Sequence, residues 1–164
     1  MWNVFVIAFV VAAAVGDVLW SKIPRSLTVA GFFSGLAHHA LHRDLISALL
    51  AAAVGLTAGM LLFQMGAIGG GDVKLITALG AMLGLNTWLT AMYAAVLVAA
   101  VMAVIQILRR RALRQTLQNM KSIMSGIGQT GLQAHPFLHV RNPALLRSPF
   151  GVAAAVGTLI AVIR

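Results

Sequence analysis

Six apolar stretches, parted by short polar breaks, leave this chain one kind of structure to adopt. They run over residues 2–19, 27–41, 45–67, 73–85, 88–108 and 149–163. A helix rises about 1.5 Å per residue, so roughly 20 residues cross a hydrocarbon core. The first, third and fifth stretches reach that length. The other three hold 15, 13 and 15 residues and depend on their flanks or on local thinning of the bilayer. The 13-residue stretch is the weakest span, with a re-entrant segment buried among its neighbours as the other reading. The chain is 60% hydrophobic and 9% charged, too little polar surface for a soluble domain. The expectation is an all-α, polytopic membrane bundle of about six transmembrane helices, forming a single domain over 1–164.

The basic residues fall between the apolar stretches, so the net charge of +9 reads as membrane topology and not as nucleic-acid binding. With the N-terminus outside, Lys22, Arg25, Lys74, Arg109, Arg110, Arg111, Arg114, Lys121, Arg141 and Arg147 lie inside; only Arg43 and Arg164 lie outside. Ten of the twelve basic residues are then cytoplasmic, as the positive-inside rule requires. Between Arg109 and Arg147, Leu113, Leu117, Met120, Met124 and Ile127 recur at helical spacing, with Arg114, Gln118 and Lys121 between them. This predicts an amphipathic helix on the cytoplasmic face, its basic side towards anionic inner-leaflet lipids. Gly126, Gly128, Gly131, Pro136 and Pro143 break the pattern beyond it.

The chain has no cysteine, which excludes disulfides and Cys-x-x-Cys zinc sites. His38 and His42, and likewise His135 and His139, stand four apart, but neither pair has a third ligand in sequence. No metal or other cofactor is expected. The first residues, Met1-Trp2-Asn3-Val4, lack the basic start of a cleaved signal, so the first stretch is expected to remain as a span. Trp2, Trp20 and Trp88 fall near stretch ends, where aromatic belts belong. Gly55-x-x-x-Gly59 and Gly80-x-x-x-Gly84 suit close helix packing within the chain.

Only three acidic side chains occur, and two of them adjoin apolar stretches: Asp17 and Asp72. Ionisable groups beside lipid are costly and point to function. Asp72 follows Gly69-Gly70-Gly71, a run that permits unusual backbone conformations and close approach of another segment. It falls where a helix begins, beside Lys74, and free N–H groups there favour a carboxylate. Asp17 lies near a helix C-terminus without that support. Two such acids on one face can share a proton and activate water, which is the chemistry of aspartyl proteolysis. Asp44, beside Arg43 in a turn, reads as a solvated loop residue. Lys74 either tunes Asp72 or snorkels to the headgroups.

Asp17 followed by Ile23-Pro24-Arg25-Ser26-Leu27-Thr28, and then Gly69-Gly70-Gly71-Asp72-Val73-Lys74-Leu75, resembles the type IV prepilin peptidase family. That family carries an Asp ahead of an Ile-Pro-Asn-x-Leu-Thr stretch and a second Asp in Gly-x-Gly-Asp. Arg25 replaces the usual Asn. Near the end, Pro149-Phe150-Gly151-Val152-Ala153 is similar to the family's final Pro-Tyr/Phe-Gly span. The resemblance implies an inner-membrane aspartic endopeptidase that cuts the short basic leader from pilin-like precursors at the cytoplasmic face. It implies catalytic Asp17 and Asp72, with Ile23, Pro24, Gly69, Gly70, Gly71 and Lys74 as the surrounding motif. The short form, without a tetracysteine part, resembles the peptidases of tight-adherence (Flp) pilus systems, so N-methylation is not expected. Two other classes fit an acid pair in a membrane: a small proton-coupled carrier or channel, and a non-catalytic pilus-assembly protein. A carrier would place its acids near the midplane and show an internal repeat; neither is evident in the sequence.

Overall fold

The computed structural model describes residues 1–20, 23–109 and 150–163. The expected cytoplasmic-face helix within 110–147, the pair His135 and His139, and Lys22 and Pro149 lie outside the described residues. Every regular element among the described residues is helical: α1 (Trp2–Trp20), α2 (Arg25–Leu41), α3 (Leu45–Gln64), α4 (Gly70–Arg109) and α5 (Phe150–Ile163). Three of them, α1, α3 and α4, are long and apolar enough to cross a membrane.

In α1, Val6, Phe9, Val10 and Ala13 form one buried stripe at helical spacing, while Val4, Val11, Val15 and Val18 are exposed. A helix that is apolar on both its packed and its open face is built for lipid. The stripe joins Leu75, Leu79 and Met82 of α4, Ala51 of α3 and Ala154 of α5 in one core. Small residues set the helix spacing. A Cβ on Gly80 would lie 2.7 Å from the Ala51 backbone, one on Gly59 would meet Val73 at 3.1 Å, and one on Gly31 would collide with the Phe9 ring. Of the glycines expected to serve packing within the chain, Gly55, Gly59 and Gly80 do so, whereas Gly84 marks a break in α4.

The fourth and fifth apolar stretches form one 40-residue element, α4, broken at Gly84 (φ 69°, ψ 170°), a backbone region open only to glycine. In a straight helix Ile76 and Trp88 would stand about 18 Å apart along the axis. Instead the Trp88 indole N–H donates to the Ile76 carbonyl at 3.2 Å, and a Cβ on Gly55 would touch both residues. The two arms of α4 therefore fold back on each other. The bend is capped from outside. Ser47 Oγ of α3 accepts the Leu85 N–H at 2.9 Å, and the Met82 carbonyl faces both the Trp2 indole N–H and His39 Nε2 at 3.2 Å. Helix ends leave such groups without intrahelical partners, so these contacts complete the turn. Trp88 is 4% exposed, a core residue and not the belt anchor its position in the sequence suggests.

The third stretch ends three residues earlier than its apolar run. Gly66 turns left-handed (φ 74°), its N–H bonds Phe63 O, and the Ala67 N–H bonds Leu62 O, each at 2.9 Å. This is a Schellman stop, which glycine enters without a Cβ penalty. The second stretch starts earlier than expected, at Arg25, directly after Pro24 (φ −58°, ψ 133°). Proline lacks an N–H and cannot extend the helix backwards.

Candidate active site

Asp17 and Asp72 come to the same end of the bundle. Asp17 lies one turn before the end of α1, and Asp72 sits in the first turn of α4. Both are half-buried, and Asp72 lies within range of the Asp17 charge. The two helices meet mainly through a third element, since α5 packs against both α1 and α4.

Each carboxyl is held by one glycine N–H. Gly69 precedes α4, and its N–H donates to Asp72 Oδ2 at 3.0 Å, while the Asp72 N–H returns a 3.0 Å bond to Gly69 O. An acid at the third helical position reaching back to the capping residue is one half of a capping box. Asp17 Oδ2 accepts the Gly151 N–H at 2.7 Å. Gly151 belongs to the first turn of α5, so Asp17, although near the end of its own helix, faces the N-terminus of another. This corrects the expectation that Asp72 alone has helix-start support. In each acid Oδ1 has no hydrogen-bond partner among the described residues.

The glycine run has neither the unusual conformation expected of it nor, at Gly70 and Gly71, an approach too tight for a Cβ. Among the described glycines only Gly66 and Gly84 have positive φ. Gly70 and Gly71 are ordinary first-turn residues of α4, which begins ahead of Asp72. A Cβ on Gly71 would lie 4.0 Å from Ile23, and one on Gly70 would lie 3.7 Å from the Phe63 ring. Ile23 thus lies against the glycine run, with Pro24 exposed beside it. Lys74 is exposed and makes no ion pair with Asp72 among the described residues.

A second polar group lies around the Gly84 bend. His39 Nδ1 is 3.6 Å from Asp44 Oδ2, and a Cβ on Gly84 would lie 3.0 Å from Ser47 Oγ. Ser, His and Asp in one place suggest a nucleophilic triad, but the bonding does not form one. Here His39 Nε2 faces a carbonyl, so it carries its proton and donates, and Ser47 accepts from the Leu85 N–H. His38 stacks on Trp2 with ring centroids 3.9 Å apart, and His42 Nδ1 faces the His38 carbonyl at 2.8 Å.

Sequence reasoning did not assign a role to Gly151. Its signal was the Phe150-Gly151 pair at the start of the last apolar stretch, where a glycine adds nothing to helix stability. A family profile described as the type IV leader peptidase family matches residues 4–104, which include both acids, Ile23, Pro24 and the glycine run. Comparison with curated proteins and with solved structures gives no match.

Proposed function

This chain belongs to the type IV leader peptidase family, and from that membership we propose that it is an inner-membrane aspartic endopeptidase. Its substrates are type IV prepilins of the Flp class, and it removes their short basic leader at the cytoplasmic face. The observation that carries this reading is the convergence of Asp17 and Asp72 at one end of the bundle, each with one oxygen held by a glycine N–H. One carboxylate takes a proton from water as the water adds to the scissile carbonyl. The other, in its acid form, gives a proton to the carbonyl oxygen. Collapse of the tetrahedral intermediate breaks the C–N bond, and the proton taken from water passes to the departing amine. Water supplies the nucleophile, so no covalent enzyme intermediate is required.

The arms of α4 support two crossings, which with α1, α2, α3 and α5 make six and set the acids on the side of Arg25 and Arg109. The positive-inside rule then places the N-terminus outside and the acids at the cytoplasmic face. The test is cleavage of a prepilin co-reconstituted with the full chain in vesicles, with N-terminal sequencing of the product. Asp17→Asn and Asp72→Asn should each slow, by about a hundredfold or more, a cut that falls directly before the hydrophobic pilin segment. Cleavage that persists undiminished in both variants would overturn the reading.

A further inference from the structure

We propose that Gly151 is a positioning residue: its backbone N–H sets the Asp17 carboxyl opposite Asp72, and α5 is the strut that fixes that distance. The inference rests on the reading that Asp17 is one of the two reacting acids. It concerns a residue beyond the 4–104 region matched by the family profile.

Three observations carry it. The Gly151 N–H reaches Asp17 Oδ2 at 2.7 Å across 134 residues of sequence, within the range of charge-assisted bonds. A Cβ at 151 would lie 2.8 Å from Asp17 Cβ and 2.9 Å from Oδ2, so the bond exists only because the residue is glycine. Nor can α5 withdraw to make room. Gly157, two turns on, lies so close to α4 that a Cβ there would collide with the Ala91 carbonyl and lie 2.6 Å from the Ala95 N. The helix that holds Asp17 is therefore clamped to the element that carries Asp72. A carboxyl pinned at Oδ2 presents Oδ1 in one orientation, and a misplacement of about 1 Å costs on the order of a hundredfold in rate.

Two variants of the full chain test this. Gly151→Ala adds the Cβ. In the second, a synthetic segment 151–164 is ligated with glycolic acid in place of Gly151, which exchanges the N–H for an ester oxygen and adds no Cβ. The chain's only acids are Asp17, Asp44 and Asp72, so aspartate labelled with carbon-13 at Cγ yields three carboxyl resonances, assigned by Asp→Asn replacement. The expected result is a folded ester variant whose kcat for prepilin cleavage falls about tenfold or more, following the usual worth of a hydrogen bond to a charged group. KM should stay within about twofold, and the Asp17 resonance should move while that of Asp44 does not. Gly151→Ala should lose more, and if it fails to fold, the ester variant decides. A folded ester variant with unchanged kcat and an unmoved Asp17 resonance would overturn the proposal. If the unaltered chain cleaves no prepilin, it is the peptidase reading that fails, and the Asp17 resonance alone then decides whether Gly151 holds that carboxyl.

Discussion

The Trp88 indole donates its N–H to the carbonyl of Ile76, twelve residues earlier in the same helical element, at 3.2 Å. That contact exists only because Gly84 reverses the chain between them. Trp88→Phe keeps most of the buried ring and removes the donor, so unfolding in detergent should show a loss of about 1 kcal/mol. Trp88→Ala, which also empties the space between the arms and Gly55, should cost about 3–5 kcal/mol.

Gly84 bears the backbone consequence of the same bend. Its φ of 69° with ψ of 170° is closed to residues with a Cβ, and a Cβ there would also meet His39 at 3.1 Å. Gly84→Ala should lower stability by about 1–3 kcal/mol. A thermal melt unchanged in this variant would show that the bend does not need glycine.

Gly70 should behave in the opposite way. It lies in the first turn of α4, and a Cβ there would make ordinary van der Waals contact with Phe63 at 3.7 Å. Gly70→Ala should keep cleavage and leave stability unchanged or raised by up to about 1 kcal/mol, since alanine is the better helix former. Loss of cleavage in a folded Gly70→Ala chain would mean that the motif needs three glycines at the site and not two.

Asp17→Asn and Asp72→Asn retain an oxygen that can accept the Gly151 and Gly69 N–H groups. Both variants should therefore stay folded, each losing no more than about 1 kcal/mol, since the hydrogen bond is weakened and not removed. Prepilin cleavage should fall by about a hundredfold to ten-thousandfold, the usual worth of a proton-transfer group. A parallel collapse of the melting transition would assign these acids to folding instead of chemistry.

Lys74 follows Asp72 by two residues, yet it is exposed and not ion-paired with it among the described residues. Lys74→Met should leave kcat/KM within about threefold, because an exposed charge contributes little through solvent. A drop comparable to that of Asp72→Asn would place the ammonium in the reaction.

How much of the site could be read from the sequence follows from the range of each cause. Asp72 and Gly69 sit three residues apart, so one turn of helix brings them together, and the helix-start support for Asp72 was legible. Ile23 and Gly71 are close because the α1–α2 connection and the start of α4, which follows the Schellman stop of α3, lie on the same side of the bundle, as stretch lengths nearly predict. The support for Asp17 was not legible, since its partner lies 134 residues away on an element whose docking depends on Gly157. Trp88 was misplaced for a similar reason: its nearness to a stretch end says nothing about the direction in which the ring points.

By itself the sequence determined the solvent, the helices and the acids. Hydropathy is a sum over local residues, backbone polarity in lipid leaves helix as the resting state, and three acids in 164 residues leave few candidates. Tertiary structure alone decided that α4 turns back at Gly84 and that α5 lies between the helices bearing the two acids. It also decided that a glycine N–H from α5 holds Asp17. These arrangements rest on the absence of a Cβ at particular contacts between distant segments. Whether a missing Cβ matters depends on which atoms face it, and only the packed chain brings those atoms there.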